Sequence, residues 1–211
     1  MLHGSLSLPA RLCLLAWDTG TADVSGAAHL PPLVRAGALT ELARRGLLTD
    51  DDGIATPADL DTDTGDPVLD GLLELVRESR PHHWRTWVAL RARITLDAVR
   101  EQLTADGCLR AEKRRALGVF PTVEYVLDRP AVVEALRTET RAALLGPVPV
   151  AELSERDAAL AALADAARLL SGDEHPPGRL EELTEHGGAA APVLRTVVRE
   201  VRTTRATAVA H

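Results

Sequence analysis

The chain has 211 residues, of which 45% are hydrophobic and 26% charged, values typical of one folded domain of ordinary size. Its net charge of −7 argues against a domain that binds nucleic acid in bulk, since such domains are usually basic. Only 2% of the residues are aromatic, so the core must be built from Ala, Leu and Val, which favours helices packed on helices. No stretch approaches the roughly 18 uncharged apolar residues of a membrane-spanning helix.

The first quarter of the chain predicts two helices and a hairpin. Leucines over residues 5–17 indicate a short helix or a helix–strand segment that joins the core. Pro31 and Pro32 open a second helix, where a missing N–H matters least, and Gly46 is placed to end it. Strand, turn and strand follow, with Asp52 and Gly53 at the turn.

The next segment contains the clearest helix start. Asp66 is placed as the N-cap and Pro67 as the first helical residue. Acidic residues at 59–66 suggest a calcium loop, but Gly65 falls one place late for an EF-hand, so we expect a capped acidic loop without metal. Residues 82–107 predict two helical pieces, with two tryptophans, Trp84 and Trp87, as core anchors.

The second half predicts a hairpin over residues 108–128, a helix opened by Pro130, and a central, buried Ala/Leu helix over residues 154–170. Two short helices are expected to finish the chain. The order helix, glycine, leucine, hairpin occurs twice, which is also the outline of a winged-helix unit. Cys13 and Cys108 lack the spacing of a metal site and are expected to be buried free thiols.

Charge is unevenly distributed along the chain. Residues 85–115 hold eight basic and four acidic side chains, so this segment carries +4 and the remainder −11. Such asymmetry indicates either an anionic partner on one face or a solvated helix surface. Lys113 is the only lysine, and this preference for arginine in a chain rich in Ala and Gly suggests a bacterial origin with a high-GC genome.

The motifs of common enzymes are absent. The sequence has no nucleophile elbow, no HExxH, no P-loop and no GxGxxG after a strand. Its seven histidines are scattered, and the adjacent His82 and His83 would point about 100° apart on a helix. We therefore expect a protein that is not an enzyme and that needs no cofactor or metal.

Five stretches in this order resemble the Golgi phosphoprotein 3 family, whose members are phosphatidylinositol 4-phosphate effectors. They are "AGALTELARRGLL" (36–48), "TGDPVLDGLLELVRESRP" (64–81), "WVALRARI" to "ADGCL" (87–109), "AEKRRALGVFPTVEYVL" (111–127) and "RDAALAALADAARLL" (156–170). The second is similar to the family's TGD-x-LLDEAL stretch. The chain is shorter in the middle, as in the bacterial branch. The resemblance implies one mainly helical domain over residues 1–211, with a helical bundle core, surrounding amphipathic helices and one or two small hairpins.

The resemblance also implies a headgroup pocket beside a projecting hairpin. The family pocket uses a tryptophan, an arginine on the first long helix and two arginines three apart on a later helix. By register, Arg35 matches the first arginine and Arg93 the first of the pair. The tryptophan position falls near Gly26 and the second arginine at Leu96, so half of the pocket is missing.

Two further arginines are placed to compensate for that loss. Arg91 lies beside Arg93 in sequence, and Arg100 shares a helix face with Arg93 at a spacing of seven. We therefore expect general affinity for an anionic phospholipid surface rather than tight recognition of the 4-phosphate. The expected protein is cytoplasmic and associates with membranes peripherally.

The hairpin is the predicted membrane contact. Val119 and Phe120 fall near its tip, flanked by basic residues that include Arg114 and Arg115, an arrangement that suits an anionic interface. In the alternative, Phe120 and Tyr125 fill the core or form a dimer contact, which would give a homo-oligomer through residues 117–126. No nucleic acid is expected as a partner, although a winged-helix-like nucleic-acid-binding regulator is the main rival. A protein-interaction scaffold without lipid binding is the second.

Overall fold

In a computed structural model of the chain, residues 6–18, 23–24, 29–116, 120–170 and 176–209 are described here. They form nine α-helices, α1 to α9 in chain order: Leu8–Leu15, Leu30–Arg44, Pro67–Glu78, Trp84–Ala89, Ala92–Ala105, Pro130–Leu145, Glu155–Ala166, Arg179–Glu185 and Ala191–Val209. Six strands, β1 to β6, pair as three antiparallel ribbons: Trp17–Asp18 with Asp23–Val24, Leu48–Asp51 with Ile54–Pro57, and Leu109–Ala116 with Phe120–Leu127. The predicted mainly helical class is confirmed.

Helix α2 is the centre of the bundle. Every residue from Leu33 to Ala43 is buried, and the helix packs against α1, α4, α5, α7 and α9. Helix α7 is buried from Ala158 to Ala164, as predicted for the Ala/Leu helix. Since neither helix has a polar face along its buried stretch, both lie inside the bundle while the amphipathic helices surround them.

Local signals positioned most elements correctly. The Asp66 carboxylate accepts the Val68 N–H at 2.9 Å and caps α3 at the predicted position. Trp84 and Trp87 are fully buried, as expected of core anchors. The final segment was predicted wrongly, because α9 has 19 residues and is not a short helix.

The two repeated units end their helices in the same way. Gly46 and Gly107 have positive φ values of 71° and 68°. In each case the N–H of the next residue donates a hydrogen bond to the carbonyl oxygen five residues earlier, from Leu47 to Leu42 and from Cys108 to Leu103. These are Schellman caps, which direct the chain into the following hairpin.

Both cysteines are buried and free, as predicted. Burial raises the pKa of Cys13 to about 12, against a smaller opposing effect of the Arg100 charge. The thiol is therefore protonated and unreactive at neutral pH.

Candidate anion-binding site at the start of helix α5

Arg35 is buried and has no counter-ion among the described residues. Arg35 is 1% exposed, and its Nη2 donates a hydrogen bond to the carbonyl oxygen of Arg91 at 2.7 Å. Its Nε and Nη1 have no hydrogen-bond partner among the described residues. Burial lowers the pKa of Arg35 to about 10, so the guanidinium is still charged at neutral pH.

Arg91 lies at the break between α4 and α5. Its backbone is left-handed, with φ of 51° and ψ of 30°, a conformation that disfavours a residue with a Cβ. Its carbonyl oxygen accepts both the Arg35 guanidinium and the Ile94 N–H, the latter at 3.0 Å. Arg35 therefore helps to hold the strained residue from which α5 starts.

The first turn of α5 is strongly electropositive. Its N-cap, Arg91, makes no side-chain cap, and the turn contains no acidic residue. Arg91 and Arg93 are both exposed there, beside backbone amides that have no carbonyl partner within the helix. Cations at the positive end of a helix dipole are unfavourable by about 0.3–1 kcal/mol each, and a bound anion would relieve this repulsion.

Ile94 adds an apolar group to this basic surface. Ile94 is 59% exposed, because the buried stripe of α5 runs through Ala92, Thr95, Leu96, Val99 and Leu103. The phase of this stripe leaves Ile94 outside and is the signal that could have identified it.

The other arginines of the predicted site have different surroundings. The Arg100 guanidinium lies over the Tyr125 ring, and the distance from Arg100 Cζ to the ring centroid is 5.2 Å. Leu96, at the position of the family's second arginine, is 3% exposed and belongs to the core. The structure therefore brings Arg35 beside Arg91, two residues before Arg93, and places Arg100 against the hairpin.

The hairpin of β5 and β6 projects from the core. Leu109 is buried at its base and Tyr125 is half-buried, whereas Lys113 and Val123 are exposed and paired across the strands. The hairpin begins shortly after the end of α5, and near its base the Tyr125 ring lies beside the Arg100 guanidinium of that helix.

The tip of the hairpin is only partly described. Arg114 pairs with Thr122, Arg115 with Pro121 and Phe120 with Ala116 through the backbone. The side chains of Arg114, Arg115 and Phe120 lie outside the described part, as do Val119 and Gly26. Tyr125 packs against the core, which matches the second interpretation for that residue.

The fold and this basic helix end define a mainly helical protein with a surface suited to anions. The family model for Golgi phosphoprotein 3 (GPP34) matches residues 8–201, so the chain belongs to that family. No curated protein matches the chain significantly. Within the described segments, no helix combines the length and the hydrophobicity needed to cross a membrane.

Proposed function

We propose that the protein is a non-enzymatic, cytoplasmic protein that associates peripherally with membranes by binding anionic phospholipid headgroups at the start of α5. The proposed headgroup is of the phosphoinositide type, such as phosphatidylinositol 4-phosphate, because the chain belongs to the family whose resemblance implied that ligand. The observation that carries the proposal is the exposed cluster of Arg91, Arg93 and Ile94 at the start of α5, where the buried Arg35 donates to the Arg91 carbonyl and has no ion pair among the described residues.

The cluster combines the two attractions that hold proteins at membrane surfaces. Each basic residue near an anionic surface contributes about 1 kcal/mol, and burial of an exposed isoleucine adds about 1 kcal/mol or more. Two such signals together give stable but reversible association, whereas one alone is marginal.

Arg35 contributes from beneath the surface. It has almost no contact with solvent, so it adds its charge from behind the first turn of α5. Water screens that charge weakly, and a phosphate outside the turn would be attracted by three guanidinium groups together with the helix dipole.

The hairpin is the second membrane contact in this proposal. The exposed Val123 is paired with Lys113, an apolar side chain beside a cation, and the predicted tip residues lie beyond this pair. The β3–β4 hairpin, in contrast, has three consecutive exposed aspartates, Asp50, Asp51 and Asp52, which disfavours DNA binding there.

Vesicle flotation tests the proposal. The full chain is mixed with vesicles of phosphatidylcholine alone, with phosphatidylserine, or with phosphatidylinositol 4-phosphate at equal lipid charge. We expect flotation with both anionic mixtures, lost at high salt, and at least a tenfold loss of affinity in the double variant Arg91→Ala/Arg93→Ala. The matched control is Arg199→Ala, an exposed arginine on α9 that should bind as the wild type does.

Three results would overturn the proposal. Equal flotation with neutral and anionic vesicles would show that charge has no part in binding. A DNA mobility shift at the same salt, without flotation, would favour a nucleic-acid-binding regulator, and absence of both would favour an interaction scaffold.

A further inference from the structure

We propose that a cavity around the turn Thr64–Gly65–Asp66 binds a small neutral ligand rich in hydroxyl groups. The cavity has a volume of about 340 Å³, enough for a molecule of the size of a sugar or another polyol. The turn belongs to the family-like stretch at residues 64–81, and the lipid proposal gives it no role.

Four helix ends meet at this cavity. Ser7 comes from the start of α1 and Arg45 from the end of α2, while Thr64 and Asp66 precede α3. Gln102 and Asp106 come from the last turn of α5. Because helix ends carry unpaired backbone groups and caps, the wall of the cavity is polar.

Two residues that line the cavity each have a buried side-chain oxygen without a hydrogen-bond partner among the described residues. Ser7 is 6% exposed, and its Oγ is buried with no hydrogen bond among the described residues, although it occupies the N-cap position. Gln102 Oε1 is buried and unpaired in the same way. A buried polar atom without a partner is unfavourable by about 1–3 kcal/mol, so both atoms favour a ligand that donates hydrogen bonds.

The charges in the wall exclude a strongly charged ligand. The Arg45 guanidinium binds the Thr64 carbonyl oxygen at 3.3 Å and Glu41 at 3.0 Å. The Asp66 carboxylate caps α3, and Asp106 is exposed at the end of α5, whose last turn contains no basic residue. An anion would be repelled by the two carboxylates, and a cation would be repelled by the guanidinium. A hydroxyl group can donate a hydrogen bond to a carboxylate and accept one from the guanidinium.

This site is independent of the proposed lipid site. Helix α5 has 14 residues and is about 21 Å long, and the cavity lies at the end opposite Arg91 and Arg93. Failure of vesicle binding would therefore leave the cavity proposal unaffected, and the reverse also holds.

Ligand-observed saturation-transfer NMR tests the proposal on the full chain. The probes are glycerol, myo-inositol and glucose, with gluconate and glucosamine as charged counterparts. We expect saturation of at least one neutral polyol and little of the charged pair. The variants Ser7→Ala and Asp106→Asn should each weaken binding by about three- to tenfold, the loss of one hydrogen bond.

The variants are chosen to keep the fold. The Ser7 hydroxyl makes no hydrogen bond among the described residues, so its removal should not lower the melting temperature. Asp97→Asn, an exposed change on the same helix but away from the cavity, is the matched control and should bind as the wild type does. This control also separates binding from the general stabilising effect of polyols as excluded solutes.

Three outcomes would overturn the proposal. The first is the absence of saturation for every neutral polyol, which would leave water as the occupant of the cavity. The second is stronger binding of gluconate or glucosamine than of the neutral polyols. The third is unchanged polyol binding in both Ser7→Ala and Asp106→Asn.

Discussion

Helix α2 buries two charged residues six positions apart, and the protein compensates only one of them. The Glu41 side chain is 0% exposed and forms ion pairs with Arg44 at 2.9 Å, Arg45 at 3.0 Å and Arg156 at 2.9 Å. Arg35 is 1% exposed and has no ion pair among the described residues, only a hydrogen bond to a backbone carbonyl.

We propose that Glu41 maintains the fold and that Arg35 serves the proposed lipid site. Burial favours a raised pKa for Glu41, but hydrogen bonds and charge from Arg44 and Arg156 outweigh it, so the pKa is lowered. For Arg35 burial acts unopposed and lowers the pKa to about 10. A buried charge without a partner destabilises the fold, so its presence at the base of a basic surface points to binding.

The largest expected effect is that of Glu41→Gln. The substitution leaves three arginines without their shared carboxylate, so the free energy of unfolding should fall by about 3–5 kcal/mol in urea denaturation. A fall of less than about 1 kcal/mol would contradict the structural role of Glu41.

The pH dependence should show the same interaction. Since the folded pKa of Glu41 lies below its unfolded value, its contribution is complete above the unfolded pKa and is lost as the pH falls through the folded one. The stability gap between wild type and Glu41→Gln should therefore be constant near neutrality and close only in acid. A gap that closes above pH 6 would exclude this explanation.

Arg35→Met should destabilise the fold much less than Glu41→Gln. The substitution removes the hydrogen bond to the Arg91 carbonyl, about 1 kcal/mol, but it also removes a buried charge that has no ion pair among the described residues, so the free energy of unfolding should change by less than about 2 kcal/mol in either direction. Affinity for anionic vesicles should fall by about tenfold in flotation. If the variant is destabilised like Glu41→Gln and still binds vesicles, the comparison between the two charges fails.

Arg91 separates backbone strain from charge. Because its φ is 51°, Arg91→Gly should be more stable than Arg91→Ala by about 1 kcal/mol, while both lose about fivefold in vesicle affinity. At Asp97, in the right-handed interior of α5, the order should reverse, with the Gly variant less stable than the Ala variant by about 1 kcal/mol. Equal stability of Arg91→Gly and Arg91→Ala would show that the strain is absent.

The smallest expected effect is that of Ile94→Ser. Ile94 is 59% exposed, so its loss should change stability by less than about 0.5 kcal/mol and vesicle affinity by about threefold. Leu60→Ser, at a residue that is 70% exposed in the loop before α3, is the control and should leave binding unchanged. Equal losses in both variants would assign no special role to Ile94.

The sequence predicted the elements whose signals are local. Asp66 and Pro67 start α3, and Gly46 and Gly107 end their helices, because caps depend on neighbouring residues only. The break at Arg91 has no such signal, since neither glycine nor proline stands there. It depends on a hydrogen bond from Arg35, 56 residues away, which only the tertiary structure reveals.

The candidate site was predictable to the same extent. Register placed Arg35 and Arg93 in one region, and Arg35 does contact the start of α5. Packing between the helices and the hairpin decides three further features of the site. It seals Arg35 from solvent, leaves Ile94 exposed and brings Arg100 over the ring of Tyr125. None of these could be derived from spacing alone.

Hydrogen exchange with and without anionic vesicles tests the location of binding most directly. We predict slower exchange of backbone amides at residues 92–95 and in the outer part of the β5–β6 hairpin, with no change in α8. Protection confined to α8 and α9, or none at the start of α5 under conditions in which the protein floats with the vesicles, would contradict the assignment of this helix end as the membrane site.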